Sequence, residues 1–360
     1  MVKPRKYDYT LLIALLLLMI IGLVLLYSTS SYNGEVKFQD ACYYLKKQVF
    51  AVSLGIVAMY VTANMDYHRL EKFAVPAYLI AIGLSTAVLF IGDEYNGSKR
   101  WLSLGPFSFQ PSEFAKIAVI LFLAHVVTKN VKKMGSVGMI FKVIILILPI
   151  VALVGASNLS TAIIILGIGV VLVFVASPKY AQFLLMGLLG TGFMTVFLAL
   201  ESYRLERLAI WRNPEKYEKG YQTLQGLYAI GSGGFFGKGL GNSAQKMIIP
   251  EVQNDMILSV ICEELGVFGA IVILALFGML LYRLMFIARN APDLYGSLVV
   301  SGIFSHIALQ VILNVAVVTN TIPNTGVILP FISYGGTSIL FLMAEMGIAL
   351  GVSSKIKFEM

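Results

Sequence analysis

Charge is scarce in this sequence. Lys, Arg, Asp and Glu make up 13% of its 360 residues, against about 25% in soluble domains. That deficit excludes an ordinary soluble globule. Cysteine is scarce as well: Cys42 and Cys262 are the whole complement, too few for a disulfide framework and wrongly spaced for zinc. The sequence lacks internal repeats and low-complexity tracts. The net charge is +8, but the basic residues are scattered beside apolar runs, as topology signals and headgroup contacts are. A nucleic-acid binder would gather them, so none is expected.

Apolar residues dominate instead, at 58% with a mean hydropathy of +0.84. They recur in blocks of about 17–22 residues, the length that crosses about 30 Å of hydrocarbon as a helix. The blocks predict spans over 10–27, 48–64, 74–91, 112–128, 138–156, 160–176, 181–200, 262–282, 296–318 and 335–352. The expected fold is all-α: a polytopic integral membrane protein of about ten transmembrane helices, one domain over 1–360. The first block follows Lys-Pro-Arg-Lys but is longer than a signal-peptide core, so it reads as a retained helix.

Basic residues set the orientation. With the N-terminus inside, the cytoplasmic segments hold Lys3, Arg5, Lys6, Arg69, Lys72, Lys129, Lys132, Lys133, Lys179, Arg283, Arg289, Lys355 and Lys357. The short outer loops hold only Lys37, Lys46, Lys47, Lys99 and Arg100. Both termini are therefore expected in the cytoplasm. A long loop, roughly 202–255, then lies outside between the seventh and eighth spans, and loops of that length are uncommon without a function.

Four stretches concentrate polar chemistry. The first is EVQNDMILSVICEELG, Glu251 to Gly266, with four of the 19 acidic residues. Read as one helix over 254–270, it puts Asp255, Ser259, Cys262, Glu263, Gly266 and Ala270 on one stripe, facing the bundle or a wet cavity. Glu251 and Asp255 become i, i+4 neighbours, and two close carboxylates raise the pKa of one, which suits a general base or a cation site. The same acids also suit a solvated cap at a helix N-terminus. A straight helix at about 1.5 Å per residue lifts Asp255 about 15 Å above Leu265, where uncharged sequence begins, so a bend or a thick headgroup zone is required.

The second, QPSEFAKIAV from Gln110, starts a helix at Pro111 and makes Glu113 and Lys116 i, i+3 neighbours: a structural ion pair, or a polar wall of the cavity that Asp255 faces. Before it, NGSKRWLSLGPFSF places Trp101, Phe107 and Phe109 among basic residues, as an interfacial segment does. The third, GLYAIGSGGFFGKGLGNSAQK from Gly226, fails as a P-loop, with Ser232 where glycine is needed and Gly239 where Ser or Thr is needed. It remains either turn chemistry or a flexible backbone offering N–H groups with Lys238 and Lys246 to an anion. The fourth, NVAVVTNTIPNTGVILPFISYGGTS from Asn314, breaks apolar sequence with Pro323 and Pro330, and predicts a re-entrant or packed outer loop lining the same cavity. His306 and Glu345 read as lone polar residues of the last two spans, and His125 sits near the cytoplasmic end of the fourth; each suits packing better than catalysis.

Together, and in this order, RWLSLGPFSFQPSEFAK, GSGGFFGKGLGNSAQK, PEVQNDMILSVICEELG and NVAVVTNTIPNTGVILPFISYGG resemble signatures of the SEDS family, the shape, elongation, division and sporulation proteins of the bacterial cytoplasmic membrane. The resemblance covers nearly the whole chain and leans to the division and sporulation branch. It implies a peptidoglycan glycosyltransferase that polymerises lipid II outside the membrane, releases undecaprenyl diphosphate, and pairs with a class B penicillin-binding protein. It maps the essential acid of the outer loop onto Asp255, and the conserved Glu and Lys of its helix-start motif onto Glu113 and Lys116. On that reading Asp255 is the base. Lys246, Arg207 and Lys238, with Ser243 and Gln245, face the diphosphate, alone or with a divalent ion such as Mg2+ or Mn2+. Glu251, Glu263 and Asn158 complete the polar wall. Gln253-Asn254 stand where relatives read His-Thr, and Asn158 where many carry an acid. A lipid II transporter and a non-catalytic scaffold for a partner synthase are the rival readings.

Overall fold

The computed structural model describes residues 7–95, 98–104, 107–179, 187 and 208–356. Among these, nine helices are long and apolar enough to cross a membrane. They are α1 (Tyr9–Phe38), α2 (Tyr43–Asn64), α3 (Tyr67–Ile91), α4 (Pro111–Lys129), α5 (Val137–Ser157), α6 (Leu159–Ala176), α8 (Ile257–Asn290), α9 (Leu294–Val318) and α10 (Gly336–Ser353). A shorter helix, α7 (Tyr221–Gly233), lies between α6 and α8 in sequence. The span expected over 181–200 falls outside the described residues.

Apolar length makes each helix; small residues bring them together, because lipid offers no hydrophobic drive between helices. At the α2–α10 contact a Cβ on Gly347 would sit 2.0 Å from Thr62 Oγ1 and 2.4 Å from the Met59 carbonyl, so only glycine permits that approach. Helices α4, α9 and α10 form the centre: 78% of the apolar window of α4 is buried, against 22% for α2. Asp8, Asp66 and Asp293 cap α1, α3 and α9 by accepting from Leu11, His68 and Gly296 amides, satisfying orphan donors of the first turn. The described ends meet on one face: the Asp8 amide donates to Ser353 Oγ at 3.2 Å, and Lys355 Nζ reaches Asp66 Oδ1 at 2.5 Å.

Two segments depart from a purely helical plan. The interfacial stretch before α4 is a small antiparallel sheet in the order β1 (Asp93–Tyr95), β2 (Ser98–Leu104), β3 (Phe107–Phe109), pairing Glu94 with Lys99 and Leu102 with Phe109. Arg100 Nε fastens it to α5 through the Ser157 carbonyl at 2.9 Å. The Asn-Gly dipeptide in this stretch is the sequence pattern that favours such a hairpin. Residues 319–335 form no helix, as expected of the fourth stretch, yet Leu329 and Ile332 are fully buried. Buried irregular backbone needs partners, and side chains supply them: Ser160 Oγ to the Thr325 carbonyl at 2.7 Å, Gln48 Nε2 to that of Ser333 at 3.3 Å.

Candidate active site at the outer mouth of α8

Asp255 stands before α8 and not on it, because Met256 is the N-cap. The single helix expected over 254–270 is thus corrected at both ends. It begins at Ile257, and Gly266 interrupts it at φ 69°, ψ −172°. Of the two alternatives the sequence left open, a bend or a thick headgroup zone, α8 carries a kink at Gly266. The stripe disperses: Ser259 meets Gly226 of α7, Glu263 turns to Lys238, and Asp255 turns elsewhere. Glu251, at φ 50°, is exposed and pairs with Lys37 at 3.0 Å, so the helical Glu251–Asp255 neighbourhood does not form.

Around Asp255 three segments converge. Gln222 Nε2 of α7 donates to its Oδ1 at 3.2 Å. Asn314 Nδ2 of α9 donates to its backbone carbonyl at 2.9 Å. Its Oδ2 faces Gly326, where an added Cβ would sit 3.8 Å away. Burial pushes the carboxyl from its ordinary 3.8 up to about 6; nearby backbone N–H groups and Gln222 oppose that, and the charge of Glu251 adds to it. A partly buried carboxylate with one oxygen held and its affinity for protons raised is what general-base chemistry asks for.

Behind this acid lies the polar wall. Lys116 Nζ and Glu113 Oε1 pair at 2.8 Å, with 2% and 6% of the side chains exposed. Lys116 Nζ also lies 3.5 Å from Gln310 Oε1, and Gln310 Nε2 donates to the Ile328 carbonyl at 3.2 Å. One turn of α9 further out, Asn314 Nδ2 donates to the Val327 carbonyl at 2.7 Å. The ion pair is thereby connected to the irregular segment that packs against Asp255. One turn inward, His306 Nδ1 meets Glu345 Oε2 at 2.8 Å, both buried. These two are a pair across α9 and α10, correcting their reading as isolated residues; His125 likewise meets Glu71 at 3.1 Å.

A second cluster forms at the Gly266 break. The α8 carbonyls of Glu263 and Glu264 accept from the amides of Lys238 and Gly239, both at 2.9 Å. The amides of Val267 and Phe268 donate instead to Gly234 and Phe235. The Gly-rich segment therefore takes over the ladder bonds that α8 gives up. Lys238 Nζ reaches Glu263 Oε1 at 2.7 Å, Ser243 Oγ donates to Oε2, and the Ala244 and Gln245 amides point at the same carboxylate, each at 3.3 Å. Lys246 Nζ lies 3.5 Å from Glu264 Oε1, and Ser28 Oγ of α1 donates to Oε2 at 2.6 Å. The anion-binding geometry expected of this loop exists, and the anions it holds are Glu263 and Glu264, both fully buried.

Residues 8–357 match the FtsW/RodA/SpoVE family model, described as cell cycle protein. Stage V sporulation protein E of Bacillus subtilis is 40% identical over 98% of both chains. A probable peptidoglycan glycosyltransferase FtsW of Trichlorobacter lovleyi is 36% identical over 99% of this chain and 95% of its own. Among solved structures, a chain of a peptidoglycan synthase complex that coordinates polymerization and crosslinking superposes with TM-score 0.83 at 30% identity, covering 97% of this chain and 98% of that one. The rod shape determining protein RodA of Thermus thermophilus gives 0.71 at 28%, with coverage of 98% and 99%. The chain belongs to the SEDS family. It is a multi-pass protein of the cytoplasmic membrane.

In this SEDS protein the predicted site residues divide into two groups. Asp255, Glu113 and Lys116 are linked through Gln310, Asn314 and the 324–328 backbone. Lys238, Lys246, Ser243, Gln245 and Glu263 share the cluster at the Gly266 break. Arg207 lies outside the described residues. Asn158 caps α6 by accepting from the Thr161 amide at 3.2 Å, a task asparagine performs as well as aspartate. Among the described residues no three acidic, His or Cys side chains gather as a metal site. Sequence reasoning missed Gln222, Gln310, Asn314 and Asn324. Asn314 and Asn324 were inside a stretch already singled out; Gln222, in a polar loop, carries no periodic signal.

Proposed function

We propose that this chain is a peptidoglycan glycosyltransferase that polymerises lipid II at the outer face of the cytoplasmic membrane, acting as a single membrane domain beside a class B penicillin-binding protein. Asp255 is the general base. Its Oδ2 accepts the proton of the GlcNAc 4-hydroxyl of one lipid II. That oxygen bonds to the anomeric carbon of the lipid-linked glycan donor, the bond from that carbon to the diphosphate breaks, and undecaprenyl diphosphate leaves with the electron pair. An α-linked donor then gives a β-linked product by inversion. Both substrates are tethered by polyprenyl tails, which is why the base belongs at the membrane's outer surface.

The observation that carries this reading is the carboxyl of Asp255, desolvated and held by Gln222 on one oxygen while the other lies against Gly326, which has no side chain. The engaged state of Lys238 and Lys246 makes them props of the loop, so the leaving group's counter-charge is assigned to no residue here. A positioned base contributes about 10²–10⁴-fold, and Asp255→Asn is expected to lose that much turnover of purified lipid II while still folding and binding its partner. The pH dependence follows from the sign of the shift. The group is raised from 3.8 to about 6, so its active, ionised form is lost as pH falls through about 6, and initial rates rise across that value. An unchanged glycan yield from Asp255→Asn, or a flat profile across this pH range, would overturn the assignment.

A further inference from the structure

A closed ring of side-chain carboxamides surrounds Asp255. Gln222 Nε2 donates to Asp255 Oδ1, and Gln222 Oε1 accepts from Asn324 Nδ2 at 3.4 Å. Asn324 Oδ1 accepts from the Gly326 amide at 3.1 Å. The next residue, Val327, accepts at its carbonyl from Asn314 Nδ2, and the same nitrogen donates to the Asp255 carbonyl, which closes the ring. The ring ties together four segments: α7, the irregular segment, α9 and the turn before α8.

Asn314 is the link that fixes the others. It is fully buried, and its Oδ1 has no hydrogen-bond partner. Leaving a buried amide oxygen unpaired carries its full desolvation cost, and leucine would fill similar space without it. The compensation is two donations from one nitrogen to two carbonyls. Those carbonyls also fix the amide's orientation, since a flipped oxygen would face both of them. What they set is the separation between the Asp255 turn and the segment carrying Gly326, the residue that Oδ2 faces.

We infer that Asn314, with Gln222 and Asn324, is a positioning residue for the transfer: the carboxamide ring holds Asp255 Oδ1 and the spacing between Asp255 and the Gly326 segment so that Oδ2 alone meets the acceptor hydroxyl. This rests on Asp255 being the base. None of the three needs to touch the reacting atoms. Glu251 is the acidic neighbour that bears on Asp255; the three carboxamides carry no charge.

The test compares Asn314→Leu, Gln222→Leu and Asp255→Asn in the full chain with purified lipid II, reading kcat, KM, the pH profile and thermal stability. Displacing a reacting group by about 1 Å can cost about 10²-fold. Asn314→Leu is therefore expected to lower kcat by about 10–100-fold with KM within about two-fold. Gln222→Leu removes a bond that favours the ionised form, so its inflection moves above the wild-type value. Should Asn314→Leu fail to fold, the Gln222→Leu profile decides alone. Turnover within about two-fold of wild type in both variants overturns the inference. So does a loss that tracks thermal stability while the inflection stays put, because that is a purely structural role. If Asp255→Asn itself keeps full activity, the base assignment has failed and the ring falls with it; if Asp255→Asn is inactive and the ring variants are normal, only the ring is wrong.

Discussion

Lys116 is a charged side chain sealed inside this bundle, tolerable there because Glu113 sits 2.8 Å away. Removing one partner of a buried pair leaves the other charge uncompensated and costs about 3–5 kcal/mol, whereas replacing both by apolar groups is often neutral. Lys116→Met is expected to lower thermal stability in detergent strongly, and the double variant Glu113→Gln, Lys116→Met to recover most of the loss. Additive losses would mean that the two side chains are not coupled. Activity should separate from stability, because Lys116 also reaches Gln310, and Gln310 holds the Ile328 carbonyl beside the Asp255 pocket. A double variant that is stable but slow is the expected result. The same i, i+3 spacing was legible in the sequence; the connection onward to Gln310 was not, since it joins positions 194 apart in the chain.

Among the elements, α8 matters most for the site, and Gly266 is its decisive residue. At φ 69°, ψ −172° it occupies a region that is essentially confined to glycine and costs other residues about 1–3 kcal/mol, and a Cβ there would sit 2.3 Å from the Phe235 carbonyl and 2.4 Å from the Gly237 amide. Gly266→Ala is expected to destabilise the protein and to open the 234–247 segment to proteolysis. Gly278→Ala is the contrast, with nothing within 4 Å of its added Cβ, and helix propensity predicts a neutral or slightly stabilising change of up to about 1 kcal/mol. Equal melting temperatures for the two variants would remove the strain argument. The break also explains which elements the sequence revealed. Hydropathy placed 112–128 and 138–156 within a residue of α4 and α5, because there the apolar run and the helix have the same ends. It stopped the first span at 27, while α1 continues to Phe38. Beyond the lipid α1 stays helical by gripping the outer loop, with Ser28 on Glu264, Asn33 on Gln253 at 3.1 Å and Lys37 on Glu251. An apolar average cannot register polar contacts of that kind. Assuming one unbroken helix likewise put Glu263 beside Asp255, when a positive-φ glycine hands it to Lys238 instead.

At the scale of the whole molecule, the two faces differ in kind. The inner face is tied by long-range ion pairs: Arg283 Nη2 to Asp8 Oδ2 at 2.5 Å, and Lys355 to Asp66 at the same distance. The outer face carries the sheet, the Gly-rich segment and the Asp255 pocket, where backbone departs from helix. That asymmetry fits chemistry confined to one side, provided the side is the extracytoplasmic one, and the excess of Lys and Arg on the opposite face assigns it so. Cys42 gives the measurement, because it caps α2 at the outer end of the α1–α2 hairpin and is partly exposed. In a Cys262→Ala background, a membrane-impermeant maleimide should label Cys42 in intact cells. Ser136→Cys, exposed at the N-cap of α5 on the other face, should label only after permeabilisation. The reverse pattern would turn the Asp255 pocket to the cytoplasm. A polymerase there would build glycan on the wrong side of the membrane, so the base, its carboxamide ring and the lipid-tethered substrates would need a different chemistry to unite them.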